Sequence, residues 1–182
     1  MKEVHYITPK TITKDAVREL RKMLGFTQRE FAAFLGVSTP TVERWESGDK
    51  EISGPITLLR EILLRHPECM EELAVPERKG RLRLWYMYKD RVCTLIDVDE
   101  LGRRVYIKNY TEDPLFRAFG NMEKPSFEFY ESFLESRCFP RGRDKMKLML
   151  QDLNIPFYDP LLIIEKTQGR MAEDDFWIRM ER

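Results

Sequence analysis

The sequence predicts two units, an N-terminal all-α bundle and a C-terminal small α+β domain built on an antiparallel three-stranded meander followed by helices. Three observations predict this. Apolar residues recur at helical spacing through residues 14–65, broken at short intervals by glycine or proline. A charged, turn-prone stretch, Pro76-Glu-Arg-Lys-Gly80, then separates this region from three β-rich runs joined by short turns. Beyond Asp113-Pro114 the apolar period becomes helical again. With 182 residues, of which 42% are hydrophobic and 12% aromatic, the chain can bury cores for both units. Residues 1–13 read as an arm, 14–75 as the helical unit, 76–81 as a linker, and 82–182 as a dimerisation or partner-binding domain.

The helices follow in order. Thr13 caps a helix over 14–24, striped by Val17, Leu20 and Leu24 and ended by Gly25. Thr27 and Glu30 form a capping box for a helix over 28–35 with Phe31, Ala32 and Leu35 on one face. Gly36 supplies a left-handed stop, Val37 enters the core, and Ser38 caps the next helix. Pro40 sits in its first turn, where a missing N–H does little harm; Val42 and Trp45 face inward, and Gly48 ends it. A turn-rich bridge over 49–52 leads to Ser53-Gly54-Pro55, which opens a helix carrying Leu58, Leu59, Ile62 and Leu63 and ended by His66-Pro67. The expectation is four short helices around one small core. Two of them, joined by a tight glycine turn, form a shape suited to docking the second helix in the major groove of DNA.

In the second half the expected strands are 82–88, 92–98 and 105–110. Helical spacing follows in Phe127, Tyr130, Phe133 and Leu134, and again in Met146, Met149, Leu150 and Leu153. Asp159-Pro160 opens a further helix ending near Gly169, and Asp175-Phe-Trp-Ile178 reads as a final packed segment. Trp85, Tyr86, Tyr88, Tyr106 and Tyr110 offer base-stacking surfaces in principle, but a small sheet needs such side chains for its core.

The stretch Thr27-Gln28, Phe31-Ala32, Leu35-Gly36-Val37-Ser38, Val42 and Trp45-Glu46-Ser47-Gly48 resembles the lambda-repressor-like, Cro-type (XRE) helix-turn-helix domain of bacterial and phage regulators. The resemblance covers residues 14–73. Ser53-Gly54-Pro55 and Leu58-Leu59-Arg60 are similar to antitoxin members of that family. It implies a DNA-binding transcriptional regulator, an autorepressor of its own operon, acting on double-stranded DNA as a homodimer. It places Gln28 beside the DNA backbone, where its amide and the helix N-terminus can donate to phosphate. Docking geometry puts Ser38, Thr39 and Thr41 against base edges, with capping and first-turn filling as their plain alternatives. Arg44, one turn on, grips guanine bidentately or touches phosphate. Glu43 accepts from cytosine or is a solvated acid. Lys50 contacts phosphate from the loop, as does Arg18 or Lys22 if the first helix crosses the backbone. Family members often carry glutamine or arginine where this chain has Thr39 and Pro40.

The second half resembles, more faintly, segments near the N-terminus of HipA-type toxin kinases and their companion proteins. The carriers are Arg137-Cys-Phe-Pro140, Arg143, Leu150, Leu153, Lys166-Thr-Gln-Gly169 and Asp175-Phe-Trp-Ile178. That resemblance implies an antitoxin-like interaction protein whose C-terminal domain holds a HipA-like or other toxin.

The rest of the chain excludes more than it suggests. Equal numbers of acidic and basic residues, 31 each, argue against strong sequence-independent attraction to DNA. The basic cluster Arg137, Arg141, Arg143, Lys145 and Lys147 reads as a solvated face in preference to a contact with DNA flanking the operator or with an acidic partner. The acidic run Glu173, Asp174 and Asp175 does not converge on a metal, and His5 and His66 lack zinc-site spacing with the cysteines. Three widely spaced cysteines, Cys69, Cys93 and Cys138, indicate reduced thiols and a cytoplasmic protein. No apolar run reaches the ~20 residues that cross a bilayer. No catalytic constellation, cofactor motif or metal site is evident, so an enzyme is not expected.

Overall fold

The computed structural model describes residues 7–142 and 144–182. The chain divides into two compact units, the first ending at Ala74 and the second beginning at Val75.

In the first unit, α1 (Lys14–Met23), α2 (Gln28–Leu35), α3 (Thr39–Ser47), α4 (Pro55–Arg65) and α5 (Cys69–Leu73) surround one core. Val17, Phe31 and Val42, one from each of the first three helices, are completely buried in it. The local stops act as their residues dictate. Thr13 accepts from Ala16 N–H at the start of α1. Thr27 and Glu30 form the reciprocal capping box. Gly36 takes φ +67°, the left-handed geometry that a side chain resists. Gly48 ends α3 for another reason. Its backbone is extended, and a Cβ there would meet the Arg44 carbonyl oxygen at 2.7 Å.

Three details differ from the sequence expectation. A fifth helix, α5, follows His66-Pro67. The arm and the bridge are joined, because β1 (Thr11–Ile12) pairs antiparallel with β2 (Ile52–Ser53). Ile12 and Ile52 face each other in that pair and are both buried in the core, so a partner 40 residues away orders what reads locally as arm and turn. Finally, Ser38 sits at the N-cap of α3, yet its hydroxyl bonds the Thr41 hydroxyl at 2.8 Å instead of a backbone N–H.

The second unit is a four-stranded antiparallel sheet with helices on one face. Its strands are β3 (Leu82–Tyr88), β4 (Arg91–Asp99), β5 (Arg104–Asn109) and β6 (Phe176–Glu181), in the order β5-β4-β3-β6. The expected meander is present. The final segment extends it, since Phe176–Glu181 pairs with β3 as a fourth strand, Tyr86 opposite Ile178. Between β5 and β6 come a 3-10 turn (Pro114–Phe116), then α6 (Phe127–Ser136), α7 (Met146–Asp152) and α8 (Pro160–Thr167). Alternation along the strands sends Leu84, Tyr86, Ile96 and Val98 towards Tyr130, Leu134, Leu150 and Ile163 of these helices. Tyr86 stacks on Phe176 with ring centroids 4.9 Å apart. Trp85, Met87 and Leu95 form a second apolar cluster on the other face, joined by Tyr110 and Trp177. Trp85, Tyr86, Tyr88 and Tyr110 are thus packing residues, whereas Tyr106 lies outside both clusters.

Residues 76–81, expected as a linker, are bonded to this sheet. Buried Arg83 grips Asp97 bidentately, 2.7 Å to each oxygen, and donates to the Pro76 carbonyl. Lys79 N–H reaches the same carboxylate at 3.0 Å. Gly80 lies so close to β4 that a Cβ would overlap the Val98 carbonyl.

Candidate nucleic-acid interface

The α2-turn-α3 unit positions Gln28, Ser38, Thr39, Thr41, Glu43 and Arg44, whereas Lys50 follows it and Arg18 and Lys22 belong to α1. At 3.6 residues per turn, Val42, Trp45 and Glu46 fall on one side of α3, and Pro40, Glu43, Arg44 and Ser47 on the other. The first set packs inward. The second is exposed, with Thr39 and Thr41 half-buried along the flanks. Arg44 is exposed and has no ion-pair partner among the described residues. Glu43 is exposed, and its backbone carbonyl accepts from the Ser47 hydroxyl at 2.7 Å. Lys50 is exposed in the loop after α3. Ser38, Thr41 and Arg44 therefore share one polar edge at the start and middle of α3, and Lys50 lies beyond its end.

Beneath that edge is a polar cluster that the sequence analysis missed. Glu46 is 4% exposed, although α3 otherwise presents its charged residues to solvent. Arg21 of α1 donates to both its oxygens, at 2.6 and 3.0 Å. Gln28 of α2 donates its amide to the second oxygen at 2.9 Å. Arg18 donates to the Glu46 backbone carbonyl and pairs with Asp15. One carboxylate thus ties the three helices together. The Arg21 hydrogen bond holds the Glu46 carboxyl below its ordinary range, against the opposing effect of burial, and Gln28 adds to the shift. Charge-assisted, bidentate bonds of this kind fix orientation strongly. The signal was present in the sequence, since Val42, Trp45 and Glu46 are spaced i, i+3, i+4, which puts Glu46 on the buried face.

This cluster changes the reading of two other residues. Gln28 is half-buried and already holds Glu46, so it orients α3 as well as standing at the N-terminus of α2. Arg18 is bound to α3 and Asp15, whereas Lys22 is exposed. The start of α2 still offers the N–H groups of Gln28 and Arg29, because the Thr27 cap takes that of Glu30.

The second unit disperses the charged groups that the sequence clusters. Arg137 is a buried tie and not a surface cation. It bonds Asp174 bidentately at 2.7 and 3.0 Å and donates to the carbonyls of Gly169 and Phe176. Its guanidinium holds the Asp174 carboxyl below the usual range. Arg141 pairs with Glu135, and Lys145 and Lys147 are exposed. Arg143 and His5 lie outside the described residues. Asp175 pairs with Lys89 instead of joining Asp174. Cys93 and Cys138 are buried and free, and burial pushes the Cys138 thiol up to about 12. Among the described residues no cluster suits a metal ion, and no helix is long and apolar enough to cross a membrane.

Comparison with known proteins agrees with the geometry of the first unit. Residues 17–56 match the helix-turn-helix family, a span that runs from inside α1 to the start of α4. The chain is also similar to Antitoxin HigA-2 of Vibrio cholerae, 30% identical over 63 residues. That alignment covers 35% of this chain and 61% of the relative. The N-terminal unit is therefore a helix-turn-helix domain of the Cro/XRE type. Neither match shows the HipA-type resemblance expected of the second half.

Proposed function

We propose that the protein is a sequence-specific transcriptional repressor of its own operon, binding double-stranded DNA as a cytoplasmic homodimer. The observation that carries this reading is the polar edge of α3, exposed on a helix whose opposite face is locked by Glu46. Arg44 reads guanine, Ser38, Thr39 and Thr41 meet base edges, and Glu43 accepts from cytosine where the site offers one. Lys50 and the α2 N-terminus with Gln28 hold phosphates and set the register. Two protomers then read half-sites about one helical turn, ~34 Å, apart.

The test is a polarisation titration of the full chain against the duplex upstream of its own gene. Wild type should bind it more tightly than an unrelated duplex, and Arg44→Ala should lose that preference. Equal binding of both duplexes by wild type refutes the reading.

A second role is supported by the similarity to HigA-2, an antitoxin, and by the sequence features shared with HipA-associated modules. In it, residues 75–182 hold a toxin or other partner encoded by a neighbouring gene, a HipA-like protein being one candidate. Co-purification of the full chain with that gene product supports this role, and its failure counts against it. Both roles fit one molecule.

A further inference from the structure

The two outer strands of the sheet are finished differently. On β6, the bond from Lys89 N–H to the Asp175 carbonyl sets the phase of the ladder, so Phe176 and Ile178 turn their backbone groups away from β3. Three of those four groups are occupied, while among the described residues the outward groups of Met180, further along, are not. Phe176 N–H donates to the Asp174 carboxylate at 2.9 Å, and its carbonyl accepts from Arg137 at 2.9 Å. Ile178 N–H donates to the Gln168 carbonyl at 2.7 Å.

On β5 the corresponding groups are open. The bond from Tyr110 N–H to the Cys93 carbonyl, 2.9 Å, sets the phase there. Arg104 and Tyr106 bond to β4, and Val105 and Ile107 turn their N–H and C=O outward. Among the described residues none bonds to them. A groove of ≈ 650 Å³ is lined by residues 104–107 of this strand together with residues 123–128. Its rim is basic. Arg104 and Lys124 have no acidic partner among the described residues, and Lys79 lies over the Tyr106 ring at 4.9 Å. Of the lining acids, Glu128 is held by Arg103 at 3.0 Å, which leaves Glu123.

We propose that the β5 edge accepts an extended acidic segment of a partner protein, which adds to the sheet as a fifth strand. Main-chain bonds to Val105 and Ile107 supply the pairing, and alternation supplies the selection. Side chains on one face of the added strand extend the apolar layer of Val105 and Ile107, and those on the other face meet Arg104 and the basic rim. The segment is therefore apolar at every second position and carries Asp or Glu at the others. A second copy of β5 fits worse, because it would bring Arg104 and its basic neighbours against their own kind. This inference deepens the partner-binding role of the second unit and rests on it. It does not depend on DNA binding.

The test uses the full chain, isotope-labelled, and two synthetic seven-residue probes. One alternates glutamate with valine and isoleucine, and the other replaces every glutamate by lysine. The acidic probe should slow amide exchange at Val105 and Ile107 by at least about tenfold, with the lysine probe inert. The double substitution Arg104→Glu and Lys124→Glu should abolish that protection and admit the lysine probe, with exchange in β3 and β4 unchanged as the folding control. Three results would overturn the proposal: no protection at saturating acidic probe, equal protection by both probes, or protection that rises with protein concentration alone, which would make a second copy the occupant. If the neighbouring gene product co-purifies equally well with the doubly substituted chain, the partner role survives and the edge proposal falls.

Discussion

The first unit uses its buried ion pair to present a surface, whereas the second uses its pairs to conceal one. In the helix-turn-helix unit, Arg21 and Glu46 lie under α3 and leave the opposite edge of that helix exposed. In the second unit, Arg137 and Asp174 occupy the outward backbone groups at the start of β6, and Arg83 and Asp97 bind residues 76–81 to the sheet. The chemistry is the same, a guanidinium gripping a carboxylate through two bonds. The difference is which element the pair fixes and what its far side is left to do. A recognition helix needs a rigid inner face and a free outer one. An edge strand is blunted when its outward groups are taken.

The largest expected effect breaks the first of these locks. Glu46→Ala leaves Arg21 buried without its partner, which should cost about 3–5 kcal/mol. Native-state hydrogen exchange would show the loss throughout α1–α3, with the β3–β4 ladder unaffected. Arg137→Ala should give the reverse pattern, opening β6 first. If either substitution loosened both units equally, the two would not open independently.

Acid offers a second way to separate the units. The carboxyls of Glu46 and Asp174 are held below their unfolded values, so their contribution is complete above the ordinary carboxylate range. It is lost as pH falls through the depressed folded values. Stability should be flat at neutral pH and decline in acid in both units. Glu46→Gln should flatten the acid decline of the first unit alone, as read by exchange at α3 amides against those of β6.

Smaller effects test the exposed side. Arg44→Ala should weaken binding to the cognate duplex by about 1–3 kcal/mol and leave the thermal stability of the first unit unchanged. Thr27→Ala removes one arm of the capping box and should cost about 1 kcal/mol of stability. That change moves the α2 N-terminus, so a modest fall in DNA affinity should accompany it.

These contrasts also explain what the sequence made legible. Caps, glycine stops and helical periods are local, and Thr13, Thr27, Gly36 and Asp159 each act within one turn of themselves. The helix-turn-helix and the meander could be read from such signals. The β1–β2 pair could not, because Ile12 meets Ile52, 40 positions further on, in the fold and not in the sequence pattern. The same holds for β6, whose edge depends on Arg137, and for Glu46, whose partners lie 18 and 25 residues back. Glu46 was half visible, since its helical position announced burial while its charge announced solvent. The open β5 edge had no local signature at all. An edge strand and an inner strand share the same alternation, and only the sheet order tells them apart.

The central claim is that the outer edge of α3 reads DNA sequence. Selection from a pool of randomised duplexes tests it most directly, with wild type and Arg44→Ala run side by side. Wild type should enrich a half-site containing guanine, and the variant should lose preference at that base while keeping the flanking positions. Enrichment of the same sequence by both proteins, or of no sequence by wild type, would contradict the account.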